Sequence, residues 1–444
     1  DWSNIQANAI YGIYAGMVYF LAVPGGWIAD NILGYQKSVL IGALIITLGH
    51  FTLAIPLEQT FILGLVFVAL GTGLLKPNIS SIVGQLYSQN DSRRDSGFTI
   101  FYMAINIGSM LGFAVCGWLG EKVGWHFGFG AAGVGMLFGV TQFILFRHQL
   151  GEAGKYPNKI NEQTKRNYIR GVGLVVILIA SVVITGIAGF WSIDPVYFAE
   201  RFRDFLVVIS IIYFIYLLFF AGLTANEKKN VLMLLLLFIG AAAFWSGFDQ
   251  SAGSLTIFTR DYVNLTFGTF TAPVSWTQFV NPLFVVMFAP FFAYLWVFLG
   301  KRNLDPNMPI KFGLGLILMA LGFIVMILAV KYALASSPVG VQWLLLTYLL
   351  HTFGELTLSP VGLSAFSKYS PKRYLGQMMG IWFLASSLGG VLAGLLGGEA
   401  TESGLESMSP VFTELVYYCL AIAAVLIVLS FFIKGAKTDN IPDE

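Results

Sequence analysis

Leu70-Gly-Thr-Gly-Leu-Leu-Lys76-Pro-Asn-Ile-Ser-Ser-Ile-Val-Gly84 places a lysine midway along an apolar segment that runs from Phe61 to Leu86. An ammonium that far from either end of a spanning helix has no easy route to the headgroups. A charge at the bilayer centre costs at least ~2.5 kcal/mol, so Lys76 calls for a partner or a water-filled cavity. Pro77 and Asn78 follow it, and Gly71, Gly73 and Gly84 flank them. Such a helix bends and lets a neighbour approach closely, which a transport pathway requires and a plain anchor does not.

The rest of the chain has the same character. Of its 444 residues 57% are hydrophobic and only 11% charged, far outside the soluble globular range, so an all-α polytopic membrane protein is expected, with the lipid bilayer as its surroundings. A net charge of +2 gives no reason to expect a nucleic-acid partner, and no obligate protein partner is implied. Cys116 and Cys419 both lie in apolar segments and read as free packed thiols.

Thirteen spans of about 20 residues are predicted, from Ile5 to Ala29 at the start to Val411 to Ile433 at the end. Nineteen of the 25 lysines and arginines fall in one set of alternating loops, five in the other, and Lys76 in neither. The richer set is therefore assigned to the cytoplasm, and the C-terminus with it. Since thirteen is odd, Asp1 is then outside, and the chain is expected to lack an upstream helix.

The chain also repeats. Pro77, Arg93-Arg94 and Gly97 recur 279 to 283 residues further on as Pro360, Lys372-Arg373 and Gly376, and the Gly108 to Gly112 region recurs as Gly389-Gly390. Same order and same direction suggest two parallel halves, the arrangement of alternating-access carriers of the major facilitator type. The expected organisation is an N-terminal helical bundle over 1–147, a linker with two extra transmembrane helices over 148–230, and a C-terminal six-helix bundle over 231–444. The linker has few internal polar residues and is assigned no chemistry.

Several motifs carry a narrower resemblance. Gly26-Trp-Ile-Ala-Asp30 with Gly34 and Lys37 looks like the short loop between the second and third helices of major facilitator proteins. Arg94-Asp95-Ser-Gly-Phe-Thr-Ile-Phe101-Tyr-Met-Ala-Ile-Asn106-Ile-Gly-Ser109 resembles the signature of the proton-dependent oligopeptide transporter (POT) family. Leu75 to Asn78, Phe244-Trp245 with Gln250, Gln278 with Asn281-Pro282, and Gly354-Glu355-Leu356 with Ser359-Pro360 are similar to the same family, over nearly the whole chain. The family's first-helix Glu-x-x-Glu-Arg-Phe motif, tied to proton coupling, has no match here. The resemblance implies a major facilitator fold of two six-helix bundles, the first helix missing from this chain, with two inserted helices between them as in bacterial members. The bacterial inner membrane is then the expected location, and no cofactor is expected beyond the proton as coupling ion.

On the residues alone, Glu355 lies mid-span with His351 and Ser359 four positions to either side, all on one helical face. Lys76 and Glu355, each in the matching helix of its own half, are expected to address one cavity. A zwitterionic di- or tripeptide would meet Lys76 with its carboxylate and Glu355 with its amine. By resemblance, Asn106 and Asn281 help hold the peptide's ends, Ser359 adds to the binding set, and Tyr19, Trp245 and Trp382 line the side-chain pocket. Accumulating a neutral solute ~100-fold costs ~2.7 kcal/mol, and one positive charge crossing 100 mV supplies ~2.3 kcal/mol, so one or more protons suffice. Asp30, Asp249 and Glu355 are the candidates for proton coupling and gating.

Each residue also has a plainer reading. Lys76 also reads as a structural lysine in a packing ion pair, though function is the favoured reading, Glu355 as a mere partner of His351, and His351 as a packed histidine. Asn106, Gln278 and Asn281 read as interhelical glue, and the aromatics as core. A carrier of the same build for nitrate, a drug or another small organic solute is the alternative function, and a passive channel is a further one. An enzyme is not expected: His50, His126, His148 and His351 are scattered, with no His-Glu-x-x-His and no Gly-x-Ser-x-Gly pattern.

Overall fold

The computed structural model describes residues 2–87, 94–158, 160–187, 189, 190, 192 and 194–432. Arg93, Lys159, Lys434 and Lys437, counted above in the charge pattern, lie outside the described residues, as do Trp191, Ile433 and the side chains of Arg94, Asp95 and Lys372.

The described chain is helical almost throughout. In order the helices are α1 (Asn4–Phe20), α2 (Ala22–Ile28), α3 (Tyr35–Leu53), α4 (Glu58–Gln85), α5 (Arg94–Gly112), α6 (Trp118–Lys122), α7 (Trp125–Phe146) and α8 (Glu162–Ile187). They continue with α9 (Pro195–Ile215), α10 (Ala225–Phe248), α11 (Ser254–Tyr262), α12 (Val280–Lys301), α13 (Met308–Ala335), α14 (Gln342–Tyr369), α15 (Leu375–Ala400) and α16 (Leu405–Phe432). Four two-residue strands sit in connections. β2 (Thr266–Phe267) and β3 (Phe270–Thr271) pair antiparallel across Gly268, and β1 (Val263–Asn264) pairs parallel with β4 (Val339–Gly340).

Twelve helical segments among the described residues are long and apolar enough to cross a membrane. The helix α14, expected from Trp343 to Phe366, is as long at 28 residues but is not among them. Its Gln342, His351, Glu355 and several hydroxyls lower its hydropathy, which is what a helix carrying site residues should look like. The first expected span is in fact α1, α2 and a π-turn over Ala29–Leu33, together 30 residues. Local chemistry sets several boundaries. Thr224 and Glu227 form a reciprocal capping box at the start of α10, and the Asn307 side chain accepts from the Ile310 amide at the start of α13.

Contacts divide the chain into two compact units. One is Met17–Asp194, and the other joins the residues up to Gly16 to those from Pro195 onward. The second boundary falls between the two linker helices α8 and α9.

In the Met17–Asp194 unit, α4 is gripped on two faces by glycines. On one face Gly71 and Gly42 of α3 lie so close that a β-carbon on either would stand 2.6 Å from the other's carbonyl oxygen, and Gly64 and Gly49 repeat the contact one heptad away. On the other face Gly73 meets Gly25 and Leu21, and a β-carbon on Gly25 would overlap the Gly73 carbonyl. Small residues at such crossings let backbones touch, the packing mode that replaces the hydrophobic effect inside lipid.

The other unit has a core of fully buried aromatics, Phe244, Phe312, Phe323, Phe366 and Phe412, where α10, α13, α14 and α16 meet, and Phe258 of α11 is fully buried as well. Gly315 of α13 and Gly354 of α14 form a close crossing beside it. Arg373, read from the sequence as a topology signal, has a specific structural role. Its guanidinium donates to the carbonyls of Ala221 (2.6 Å) and Gly222 (2.9 Å), which close the π-turn that ends α9. Helix ends leave such carbonyls without intrahelical partners, and a cation is the favoured cap.

Candidate functional site

The prolines of the repeat fall at corresponding depths. Pro77 is the twentieth residue of α4 and Pro360 the nineteenth of α14, both helices being 28 residues long. Each proline removes a backbone donor and weakens its helix just where polar side chains collect. Counted from the prolines, Ser359 holds the place of Lys76, and Glu355 lies one turn earlier.

In the Met17–Asp194 unit, the Lys76 ammonium sits 3.8 Å from the centroid of the Tyr19 ring. Both residues are half-buried. Among the described residues of this unit no carboxylate pairs with Lys76, so the ring face is its counterpart. The neighbouring Asn78, 1% exposed, fixes the backbone around it. Its amide donates to Leu74 O (2.7 Å) in its own helix and to Gly25 O (3.2 Å) in α2. The close approach of Gly25 to Gly73 makes that second bond possible, so Gly25, Gly73 and Asn78 position the lysine although none of them touches it.

Asn106 is buried on α5, and its amide donates to Tyr102 O (3.0 Å) of the preceding turn. Asp30 lies in the π-turn after α2 and accepts from the Tyr35 hydroxyl at 2.6 Å. Around it, Asn158 N donates to Asp30 O (2.7 Å), and Gln36 N to Gly154 O (2.9 Å). Gly154 N in turn donates to Gln85 of α4 (2.7 Å). The segment after α7 thus ties the α2–α3 turn to the end of α4. Gly34 enters α3 at φ 78°, a left-handed conformation that favours glycine.

In the other unit, Asn281 of α12 donates through its amide to Glu355 Oε2 (3.0 Å) and to Thr352 Oγ1 (3.0 Å) of α14. The Thr352 hydroxyl donates on to Tyr348 O (2.6 Å). Glu355, Thr352 and Asn281 therefore form one hydrogen-bonded group across α12 and α14, with both Asn281 donors committed and its carbonyl oxygen available as an acceptor. Ser359 is half-buried one turn further along α14.

The aromatics behave differently from one another. Trp382 is only 6% exposed, with its ring packed against Phe366 (5.5 Å between centroids) and Phe312 (6.4 Å), and Gly362 leaves it room. Trp245 stands edge-on to Phe244 and Phe248 and holds its indole N–H buried without a hydrogen-bond partner. Asp249, half-buried, caps the end of α10. Next to it the fully buried Gln250 donates to Ala393 O of α15 (3.0 Å) and accepts from Ser254 (2.6 Å). Gln278 donates to Ser251 O and to Thr256. His351 packs beneath Gly322 against Phe323, 4.9 Å between ring centroids.

Gly73 and Asn78 were singled out in the sequence as allowing a close approach, whereas their partner Gly25 and Thr352 were not. Thr352 stands three residues before Glu355 on the same helical face, and that spacing was the available signal. No group of three potential metal ligands occurs among the described residues.

The chain is similar to known proteins over most of its length. The POT family profile matches residues 36–405. The chain is 40% identical over 438 residues, 96% of its own length and 85% of the relative's, to the peptide transporter YePEPT of Yersinia enterocolitica subsp. palearctica. It is 38% identical over 394 residues, 86% of its length and 78% of the relative's, to the di-/tripeptide transporter of Lactococcus lactis subsp. cremoris. Among solved structures, the peptide transporter POT in complex with sulfate matches with a TM-score of 0.89 at 35% identity, covering 97% of this chain and 87% of that one. A POT family transporter in complex with 5-aminolevulinic acid matches with a TM-score of 0.88 at 32% identity, covering 98% and 89%.

Proposed function

This chain belongs to the POT family, multi-pass bacterial membrane carriers of the major facilitator fold and not enzymes, and from that membership we propose that it imports di- and tripeptides in symport with protons by alternating access. Its place is the bacterial inner membrane with the C-terminus cytoplasmic, the side that the lysine and arginine distribution favours.

Lys76 takes the peptide's carboxylate. An ammonium braced on a π-face keeps its N–H donors for an incoming anion, whereas one already locked to a carboxylate would first have to give that pair up. Glu355 takes the peptide's terminal ammonium together with the carbonyl oxygen of Asn281. The hydrogen bond from Asn281 to Glu355 carries this reading, because it turns the amide so that its carbonyl and the carboxylate act as one acceptor set. Asn106, Ser359, Tyr19, Trp245 and Trp382 complete the binding set. Aromatic walls accept many side chains without selecting one, as a carrier of mixed peptides needs.

Proton binding at Glu355 or Asp249, with Asp30 acting at the α2–α3 turn, weakens the polar contacts that hold one gate shut. Competition tests the substrate class. In liposomes containing the protein, uptake of a labelled dipeptide is expected to fall with unlabelled di- and tripeptides and to ignore nitrate. Inhibition by nitrate or by a drug, with none by peptides, would replace the substrate.

A further inference from the structure

Away from the candidate site, α13 and α16 line a shallow, open groove of about 500 Å³ whose sides carry both signs of charge. Lys331, four residues before the last residue of α13, lines one side, and Glu414, nine residues after the first residue of α16, lines the other. Ile327 and Pro410 supply apolar surface, and Tyr417, 70% exposed, stands at the rim. Three features mark the groove as built to receive something.

The two charges share the groove yet form no salt bridge with each other. Both are exposed on helices that read as membrane-spanning. Glu414 is roughly 13 Å along the axis of α16 and three residues into the span expected from Val411, near its end, where headgroups rather than acyl chains surround a side chain. The Ser409 hydroxyl oxygen, also in the lining, is buried with no hydrogen-bond partner. Glu399 at the end of α15 is near enough to Glu414 for the two carboxylates to repel, with Arg203 close to Glu399 as an opposing charge.

We propose that this groove is a binding site for the headgroup of a zwitterionic phospholipid that carries a primary amine, with the ammonium on Glu414 and the phosphate on Lys331. The Ser409 hydroxyl donates to a phosphate or ester oxygen, and an acyl chain runs along Ile327 and Tyr417. A headgroup of this kind offers one cation and one anion a few ångströms apart and satisfies both walls at once, each through a charge-assisted hydrogen bond. A choline headgroup has no N–H to give Glu414. A glycerol headgroup brings only negative charge toward two carboxylates. The order of preference is therefore ethanolamine over choline and glycerol phospholipids, the reverse of what a merely basic patch would show.

The test does not depend on what the protein transports. Detergent-purified protein is titrated with phosphatidylethanolamine, phosphatidylcholine or phosphatidylglycerol of identical acyl chains, and bound lipid is counted by native mass spectrometry. Wild type is expected to retain one phosphatidylethanolamine at a concentration where the other two are lost. Glu414→Gln is expected to weaken phosphatidylethanolamine about tenfold and erase its advantage over phosphatidylcholine, and Lys331→Gln to weaken both by a similar factor. Both side chains are exposed, so melting temperatures without lipid should match wild type and separate lost binding from lost folding. Equal retention of the three lipids by wild type, or wild-type retention by correctly folded Glu414→Gln and Lys331→Gln, would overturn the proposal.

Discussion

The ammonium of Lys76 lies 3.8 Å from the centre of the Tyr19 ring, on a helix whose backbone is fixed by the buried amide of Asn78. A lysine held in this way is desolvated and oriented, yet it still has donors to offer. That combination suits a site that must capture a carboxylate and later release it.

Removing the ring should therefore weaken substrate binding without abolishing it. A cation–π contact is worth about 0.5–2 kcal/mol, so Tyr19→Leu should raise the Kd for a dipeptide about 3- to 30-fold. Tyr19→Phe, which keeps the ring face, should stay close to wild type. Isothermal titration of the purified variants distinguishes this from a contribution of the Tyr19 hydroxyl, which would put Tyr19→Phe with Tyr19→Leu.

The Asn281 amide serves two acceptors, Glu355 and Thr352, across α12 and α14. Asn281→Ala removes both hydrogen bonds and the carbonyl proposed for the peptide's ammonium. A hydrogen bond to a charged group contributes about 1.5–3 kcal/mol, so affinity should fall at least ~10-fold. Thr352→Val, which leaves Asn281 bonded to Glu355, should cost clearly less. Equal losses in the two variants would mean that the group is held together by Thr352 instead.

Glycines at helix crossings and glycines facing open space should respond in opposite ways. A β-carbon at Gly25 or Gly73 meets backbone of the other helix, so Gly25→Ala and Gly73→Ala should cost about 1–3 kcal/mol, lower the melting temperature and impair substrate binding by displacing Lys76. Gly135 of α7 has nothing within 4 Å of that position, and Gly135→Ala should be neutral or slightly stabilising. Differential scanning fluorimetry in detergent reads all three.

Arg373 caps the carbonyls that end the α9 turn. Arg373→Ala should lower the melting temperature by an amount corresponding to roughly 1–3 kcal/mol, since it leaves two partly buried acceptors without their charged donor. Arg373→Lys should recover only part of the loss: both hydrogen bonds come from the single nitrogen Nη2, which an ammonium can replace, but the lysine side chain is shorter and its charge more strongly hydrated. Full stability in Arg373→Ala would leave Arg373 as a topology signal alone.

Much of this molecule could be read from the order of its residues. A lysine in an apolar run, a proline after it and the same punctuation about 280 residues later announce a functional helix pair without any knowledge of packing. Length and composition likewise locate the membrane spans, with ends that differ by up to about ten residues. What stayed hidden depends on which helices touch. Asn281 and Glu355 are 74 residues apart, and nothing in either local stretch says that α12 lies against α14. Gly73 reads as a point of close approach, but that its partner is Gly25 emerges only when α2 and α4 are seen to cross. The packing of the Trp382 ring against Phe366 and Phe312 was equally hidden, because nothing in the sequence names those neighbours. The break of the first span at Leu21 is marked in the sequence by Pro24, which cannot donate to the Phe20 carbonyl and crowds it, whereas the π-turn at Ala29–Leu33 emerges only from the backbone.

The central claim is that two charges, Lys76 and Glu355, bind a peptide that protons drive across the membrane. It is tested most directly by uptake of a labelled dipeptide into liposomes holding the protein, with an inward proton gradient, for wild type, Lys76→Ala and Glu355→Gln. Concentrative uptake by wild type that collapses when the gradient is dissipated, and that is lost in both correctly folded variants, is the predicted result. Uptake by wild type that is indifferent to the gradient and the membrane potential, or undiminished accumulation by either variant, would contradict it.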